Sequence, residues 1–251
     1  MKTLSLVIPA TPGDAHYLPE LLNAINRGPH WPNEIIISIS KAQDVPAELI
    51  KDIENAFGKV EKGGLILNKD LLLAADNRNR GAQLAQGEIV AFFDADDLPH
   101  ERLFEMVVFI FENQDILHLN HCCSREPLDN ATPEKILTVD SSVLYPRYFP
   151  EDNYPDCVYY AGAYGADLFK QPEGVATGHT YVHRSVLEDI AWRGPQEKQL
   201  RKGEDYEFCM EVLYKKRKSM IINSVLSWYR PSIDRGRTTR HGYENANYVS
   251  V

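Results

Sequence analysis

Three carboxylates fall within four positions of the stretch IVAFFDADDLPH, where Asp94, Asp96 and Asp97 follow directly on an apolar run. Like charges at that spacing repel, and burial raises their cost. The cluster therefore needs solvent or a positive partner, and three kinds of chemistry fit it. Asp97 suits a helix cap ahead of Pro99, since Asp accepts from free N–H groups and Pro fits a first turn. An Asp-x-Asp after an apolar strand also serves as an aspartyl nucleophile. That chemistry wants a small hydroxyl residue two positions after the second Asp, where this chain has Leu98. The third possibility is a site for Mg2+ or Mn2+, hard ions that take carboxylates together with phosphate oxygens. On an extended segment Asp94 and Asp96 lie on the same side. One carboxylate can then meet the metal while the other meets a hydroxyl of a phosphorylated ligand. A second acidic pair, Glu204 and Asp205, opens a helix-like stretch, where position alone lets it complement the helix dipole.

The elements that must hold these groups alternate. Residues 4–9 (LSLVIP) read as a buried strand, 34–39 (EIIISI) and 89–93 as further strands, and 65–67 as a short strand candidate. Between them, residues 14–27, 45–57 and 71–86 read as helices, and 99–113 as another with Leu103, Met106, Val107, Ile110 and Phe111 on one face. This order implies an α/β fold with a mostly parallel sheet and helices on both faces. Ligands bind such sheets at the carboxyl edge of the strands, which is where the cluster falls. Residues 125–180 are rich in Pro, Gly, Asp and Tyr and read as irregular. Residues 184–192 read as a short helix, 204–216 as a clearer one, and 219–223 and 225–229 as strands. A single domain over residues 1–230 is expected, with a ligand-binding half (1–113) and a second half (114–230). The polar tail, 231–251, carries Arg235, Arg237, Arg240 and His241.

Hydrophobic residues make up 43% of the 251 and charged residues 25%, as in an ordinary water-exposed globular domain. The net charge of −9 argues against a general nucleic-acid binder or a polybasic membrane anchor. No apolar stretch reaches the length of a membrane span, and the opening residues lack the pattern of a signal peptide. Cys122, Cys123, Cys157 and Cys209 form no CxxC or zinc spacing. Adjacent Cys122 and Cys123 are expected to pack, and a reducing cytoplasm is the expected location.

The segment NKDLLLAADNRNRGAQLAQGEIVAFFDADD carries Arg78, Asn79, Gly81, Ala85, Gly87, Glu88 and Asp94 to Asp97 in a spacing that resembles the inverting family 2 glycosyltransferases of GT-A fold. LSLVIPA is similar to their first strand, and GHTYVHRSVLEDI followed by GEDYEFCMEVL to their acceptor-side segment and Glu-Asp motif. The resemblance runs from Leu4 to Arg230. It departs after the second strand, where the family's base-reading Asp is replaced by ISISKAQD with Ser38 and Ser40. It also lacks the Gln-x-x-Arg-Trp of processive synthases.

The resemblance implies a Rossmann-like GT-A domain that moves a sugar, with inversion, from a nucleoside-diphosphate sugar to an acceptor hydroxyl. UDP-sugars are the expected donors, and Mn2+ or Mg2+ the cofactor. It assigns Asp205 as catalytic base, Asp96 as metal ligand and Asp94 as ribose contact. Pro9, Ala10, Thr11 and Ala95 become nucleotide contacts, and Arg78 either reaches a phosphate or sugar hydroxyl or is a surface arginine of its helix. Glu204 and His179 lie on the acceptor side; Asn77 and Arg80 are left to solvent. His183, Trp192, Trp228 and the tyrosines from Tyr145 to Tyr164 are further candidates for the pocket. The acceptor is a saccharide or lipid-linked molecule, which would bring a cytoplasmic protein to a membrane surface. Apart from the resemblance, the basic tail reads as solvated, with closure over the diphosphate as the alternative. Two other expectations compete: a sugar-1-phosphate nucleotidyltransferase, and a non-catalytic carbohydrate-binding protein on the same fold. ATPGDAHY lacks the basic Gly-rich loop that the nucleotidyltransferase needs.

Overall fold

In the computed structural model, which describes residues 1–124, 144–145, 173–193, 204–215 and 218–230, one nine-stranded sheet carries the chain. Its first strands are β1 (Leu4–Ala10), β2 (Glu34–Ile39), β3 (Lys62–Leu67) and β4 (Ile89–Phe92). They are followed by β5 (Leu98–Pro99), β6 (His118–Ser124), β7 (Leu144–Tyr145), β8 (Glu173–His183) and β9 (Ser219–Trp228). The spatial order is β3-β2-β1-β4-β8-β6-β9-β5, with β7 against β9. The pairings β3–β2, β2–β1 and β1–β4 are parallel. Beyond β4 the sheet is mixed: β8 runs antiparallel to β4 and β6, and β6 parallel to β9.

Helices cover both faces because the central strands are apolar on both. Leu4, Leu6 and Ile8 of β1, with Ile89, Ala91 and Phe93, join a core with α1 (Leu18–Arg27), α2 (Ala47–Ala56) and α4 (Leu103–Asn113). Val7, Val90 and Phe92 face the other way, toward Ala75 of α3 (Ala74–Leu84) and Phe208 and Val212 of α5 (Glu204–Tyr214). Period-two alternation thus feeds two cores from one strand. Gly81 sets how near α3 comes: a Cβ there would stand 2.3 Å from Val7 Cγ1. A mid-helix Gly costs about 1 kcal/mol relative to Ala. Here it lets α3 lie tight on β1, which brings Asn77 and Arg78 to the sheet's carboxyl edge.

Several elements differ from the sequence expectation. The stretch read as irregular ends in β8, an eleven-residue strand in the middle of the sheet. Its sequence, EGVATGHTYVH, buries His179 and Thr180, so it lacks the apolar run that marked β1 and β4. Strand β6 was not expected at all, although Cys122 and Cys123 pack inside as anticipated. The two short strands near the end are one, β9, and its register against β6 shifts around Cys122. Helix α4 begins at Leu103 rather than Pro99, because Leu98 and Pro99 pair with Trp228 and Ser227. Residues 184–188 form a 3-10 turn that the His183 side chain caps. The tail, Cys157 and the tyrosines from Tyr148 to Tyr164 lie outside the described residues.

Candidate active site

The acidic loop leaves β4 at the carboxyl edge of the parallel strands. Asp94 is its most open acid, its side chain 28% exposed, and the Arg78 guanidinium meets its Oδ1 at 2.5 Å. The same guanidinium reaches Glu204 Oε1 at 3.3 Å. Arg78 is therefore no surface arginine: only 2% exposed, it bridges the loop after β4 to the first turn of α5. Burial works against its charge, yet Asp94, Glu204 and Asp205 together raise its pKa above the ordinary value. Asp205, half-buried, thus lies within electrostatic reach of the bridge. The ring of Trp192 backs the guanidinium at 4.4 Å and stacks on Phe208 of α5 at 4.1 Å. Asn79 pins Trp192 by hydrogen bonds to its backbone N and O. These apolar and amide contacts seat α5 against α3 and fix where Glu204 and Asp205 begin.

Behind the loop lies a buried polar core. Asp97 is fully buried, and it does not cap α4, which begins only at Leu103. Its Oδ1 accepts the Arg230 backbone N–H at 2.8 Å, and its Oδ2 lies 3.1 Å from His179 Nε2. Arg230 also donates from Nε to the Asp96 carbonyl at 2.7 Å and from NH2 to Glu20 at 2.8 Å. Its guanidinium sits over Tyr17 and Trp228, so it ties the loop to α1. His179 stacks on Phe93 at 3.8 Å, and its Nδ1 is 3.0 Å from Ser227 Oγ. Ser227 Oγ is in turn 2.7 Å from His121 Nε2, and His121 Nδ1 is 3.0 Å from the Tyr181 hydroxyl. Burial, with His179 beside it, holds the His121 pKa well below the usual imidazole range. Burial also pushes the Cys209 thiol up to about 12, which favours the protonated form.

The nucleotide-side candidates sit along β1 and β2. Pro9 and Ala10 end β1, and the Ala10 carbonyl accepts from Ser40 N and Asn77 Nδ2. Thr11 turns its hydroxyl to Asp14 at 2.6 Å. Asn77, expected in solvent, is buried, with its Oδ1 accepting from Ser38 Oγ at 2.9 Å. Asn68 donates to Ser38 Oγ at 3.0 Å. Neutral hydroxyl and amide groups thus occupy the place where the resemblance would put a carboxylate.

Among the described residues, Asp94, Asp97 and His179 bring ligand atoms within 4.8 Å of one another and could hold a metal ion. Asp96, 7% exposed, adjoins this trio without being one of it, and Ala95 packs into the core. His179 therefore lies beneath the acidic loop. Sequence reasoning missed Arg230, Ser227 and His121. The one available signal was a polar residue and an Arg flanking aromatics in SWYRP.

Gly178 on β8 faces Asp94 so closely that a Cβ would lie 2.5 Å from Oδ2. Asp94 cannot yield freely, because Arg78 holds it. Gly178→Ala is expected to weaken ligand binding at Asp94 while costing stability only about 1–3 kcal/mol, the usual range for overpacking. Thermal melting and nucleotide titration check both halves.

The profile of glycosyl transferase family 2 matches residues 5–158. No curated protein sequence matches the chain. Among solved structures, residues 1–349 of S. aureus TarS in complex with UDP-GlcNAc superpose with a TM-score of 0.63 at 15% identity, covering 91% of this chain and 58% of that one. The mannosyltransferase PcManGT from Pyrobaculum calidifontis, in complex with GDP-Man and Mn2+, gives 0.57 at 14% identity, over 92% and 58%. Glucosyl-3-phosphoglycerate synthase of M. tuberculosis gives 0.55 at 13% identity, over 95% and 77%. The chain spans less than two thirds of the TarS and PcManGT chains. At these identities the likeness shows the fold.

Proposed function

This chain belongs to glycosyl transferase family 2 and is a glycosyltransferase of GT-A fold, and on that premise we propose that it transfers a sugar, with inversion, from a nucleoside-diphosphate sugar to an acceptor hydroxyl in a metal-dependent reaction. The observation that carries the reading is the Arg78 bridge, which joins Asp94 of the acidic loop to Glu204 at the head of α5. It couples a carboxylate suited to a ribose hydroxyl to the segment that holds a base. Asp205 would take the acceptor proton, and Glu204 would hold an acceptor hydroxyl. The edge at Pro9, Ala10 and Thr11 would line the nucleotide.

A divalent ion fits the residues present. Two carboxylates and one imidazole, Asp94, Asp97 and His179, converge beside Asp96, and His179 Nε2 is buried with no hydrogen-bond partner among the described residues. The two carboxylates suit Mn2+ and Mg2+, and of these Mn2+ is the ion that more readily takes an imidazole nitrogen. When bound, such an ion would offset charge on the departing diphosphate.

A UDP-sugar is the first donor to test, and TarS, solved with UDP-GlcNAc, supports that order. A saccharide or lipid-linked acceptor and a cytoplasmic setting belong to the same proposal. No helix among the described residues is long and apolar enough to cross a membrane. The family match speaks against the nucleotidyltransferase reading.

Calorimetric titration of UDP, GDP and CDP, with and without Mn2+, on wild type and Asp94→Ala, tests the reading. One nucleotide should bind in a metal-dependent way and be lost in the variant. Absence of binding to all three would sink the donor assignment.

A further inference from the structure

A buried polar chain runs behind the acidic loop from Asp97 through His179, Ser227 and His121 to Tyr181. Buried polar groups cost free energy unless each is satisfied, and an apolar core at His121, His179 and Ser227 would fold more simply. All three are at most 1% exposed. Ser227 Oγ stands between the two imidazoles, 2.7 Å from one and 3.0 Å from the other. A hydroxyl both donates and accepts, so it can serve either ring nitrogen in either protonation pattern. Beyond His121 the Tyr181 hydroxyl, at 3.0 Å, has the same freedom. At the other end His179 Nε2 faces Asp97 Oδ2 at 3.1 Å but forms no hydrogen bond. The ring plane is held by the Phe93 stack, inclined by only 10°. One nitrogen is thus engaged and the other is aimed at the acidic loop.

We propose that Ser227 and His121 are positioning residues that hold the His179 ring with Nε2 toward Asp94 and Asp97 and let it take either tautomer, so that this nitrogen can ligate a divalent ion. The inference rests on the metal-dependent reading above. Without an ion, a proton on Nε2 is favoured, since a lone pair 3.1 Å from a carboxylate oxygen is repelled. Ser227 then donates to His179 Nδ1 and accepts from His121 Nε2–H. Ligation needs the Nε2 lone pair, so the proton must sit on Nδ1. Ser227 then accepts from Nδ1–H and donates to His121 Nε2, whose ring carries its own proton on Nδ1, toward the Tyr181 oxygen. Each imidazole keeps one proton, and no group changes charge.

Mn2+ binding to the full chain, alone and with UDP or GDP, is followed by electron paramagnetic resonance. The spin-echo signal of bound Mn2+ should show a directly coordinated imidazole nitrogen. Ser227→Ala should weaken Mn2+ binding about tenfold or more, the usual cost of losing a partner behind a metal-ligating His. Ser227→Thr, which keeps the hydroxyl, should restore it. A merely structural serine would lower the melting temperature and leave the nitrogen signal and the Mn2+ affinity as they were. Metal-dependent nucleotide binding without the nitrogen signal overturns this inference and leaves the transferase reading standing. If no nucleotide binds with metal, both fall. Should Ser227→Ala fail to fold, His179→Gln decides: loss of the nitrogen signal supports the inference, and its persistence overturns it.

Discussion

Asp205→Asn is expected to slow sugar transfer by about 10²–10⁴-fold, the usual worth of a positioned general base, while leaving nucleotide binding near wild type. An acceptor hydroxyl is a poor nucleophile until its proton is taken, and an amide cannot take it. Asp205 sits in the first turn of α5, half-buried and within the field of Arg78. Its loss from the helix start should cost stability only about 0.3–1 kcal/mol. A large fall in rate with an unchanged melting temperature therefore separates catalysis from folding. The measurement is release of nucleoside diphosphate, with the donor affinity followed in parallel. Glu204→Gln should have a smaller effect on rate, because it keeps a hydrogen-bonding group at the acceptor side. If Asp205→Asn transfers sugar at the wild-type rate, the base lies elsewhere.

Removing the Arg78 charge should damage stability and binding together. Arg78→Met leaves Asp94 and Glu204 facing each other without the cation between them. Breaking a buried ion pair from one side costs about 3–5 kcal/mol. The two acids keep 28% and 26% of their side chains in contact with solvent, so roughly 2–3 kcal/mol is the expectation after screening. In a chain of this size that lowers the melting temperature by about 4–12 °C. Arg78→Lys keeps the charge but loses the planar fork that serves two carboxylates and lies on Trp192. It should recover part of the stability and little of the nucleotide affinity. Unchanged melting and unchanged binding in Arg78→Met would show that the bridge holds nothing together.

The two experiments also separate the acceptor side from the donor side. Asp205 acts on rate at a folded site, whereas Arg78 ties the two halves of that site to each other. A variant at Gly178 crowds Asp94 alone, so its effect should fall on binding.

The amino-acid sequence by itself determined the parallel half of the sheet. β1, β2 and β4 are apolar on both faces, so their runs are continuous, and the helices between them carry their apolar residues at helical spacing. The acidic loop was legible from its charge: three carboxylates directly after such a run repel one another and call for a positive partner. Helix α5 and its leading Glu204 and Asp205 could be read as well. The polar half was not legible. Strand β8 buries His179 and Thr180 and carries Gly178, so it reads as a loop until β4 and β6 are laid on either side of it. Asn77 and Arg78 look like solvent residues on a weakly apolar helix. They are buried because Gly81 brings α3 onto β1 and because their partners arrive from afar: Ala10 lies 67 positions away and Glu204 lies 126. Asp97 meets Arg230 across 133 positions. A polar side chain states in sequence only what it can bond, whereas its burial depends on which partner the tertiary structure delivers. The chemistry on offer was therefore written locally, and the pairing of Asp94 with Arg78, and of Asp97 with His179 and Arg230, was decided by the closing of the mixed sheet.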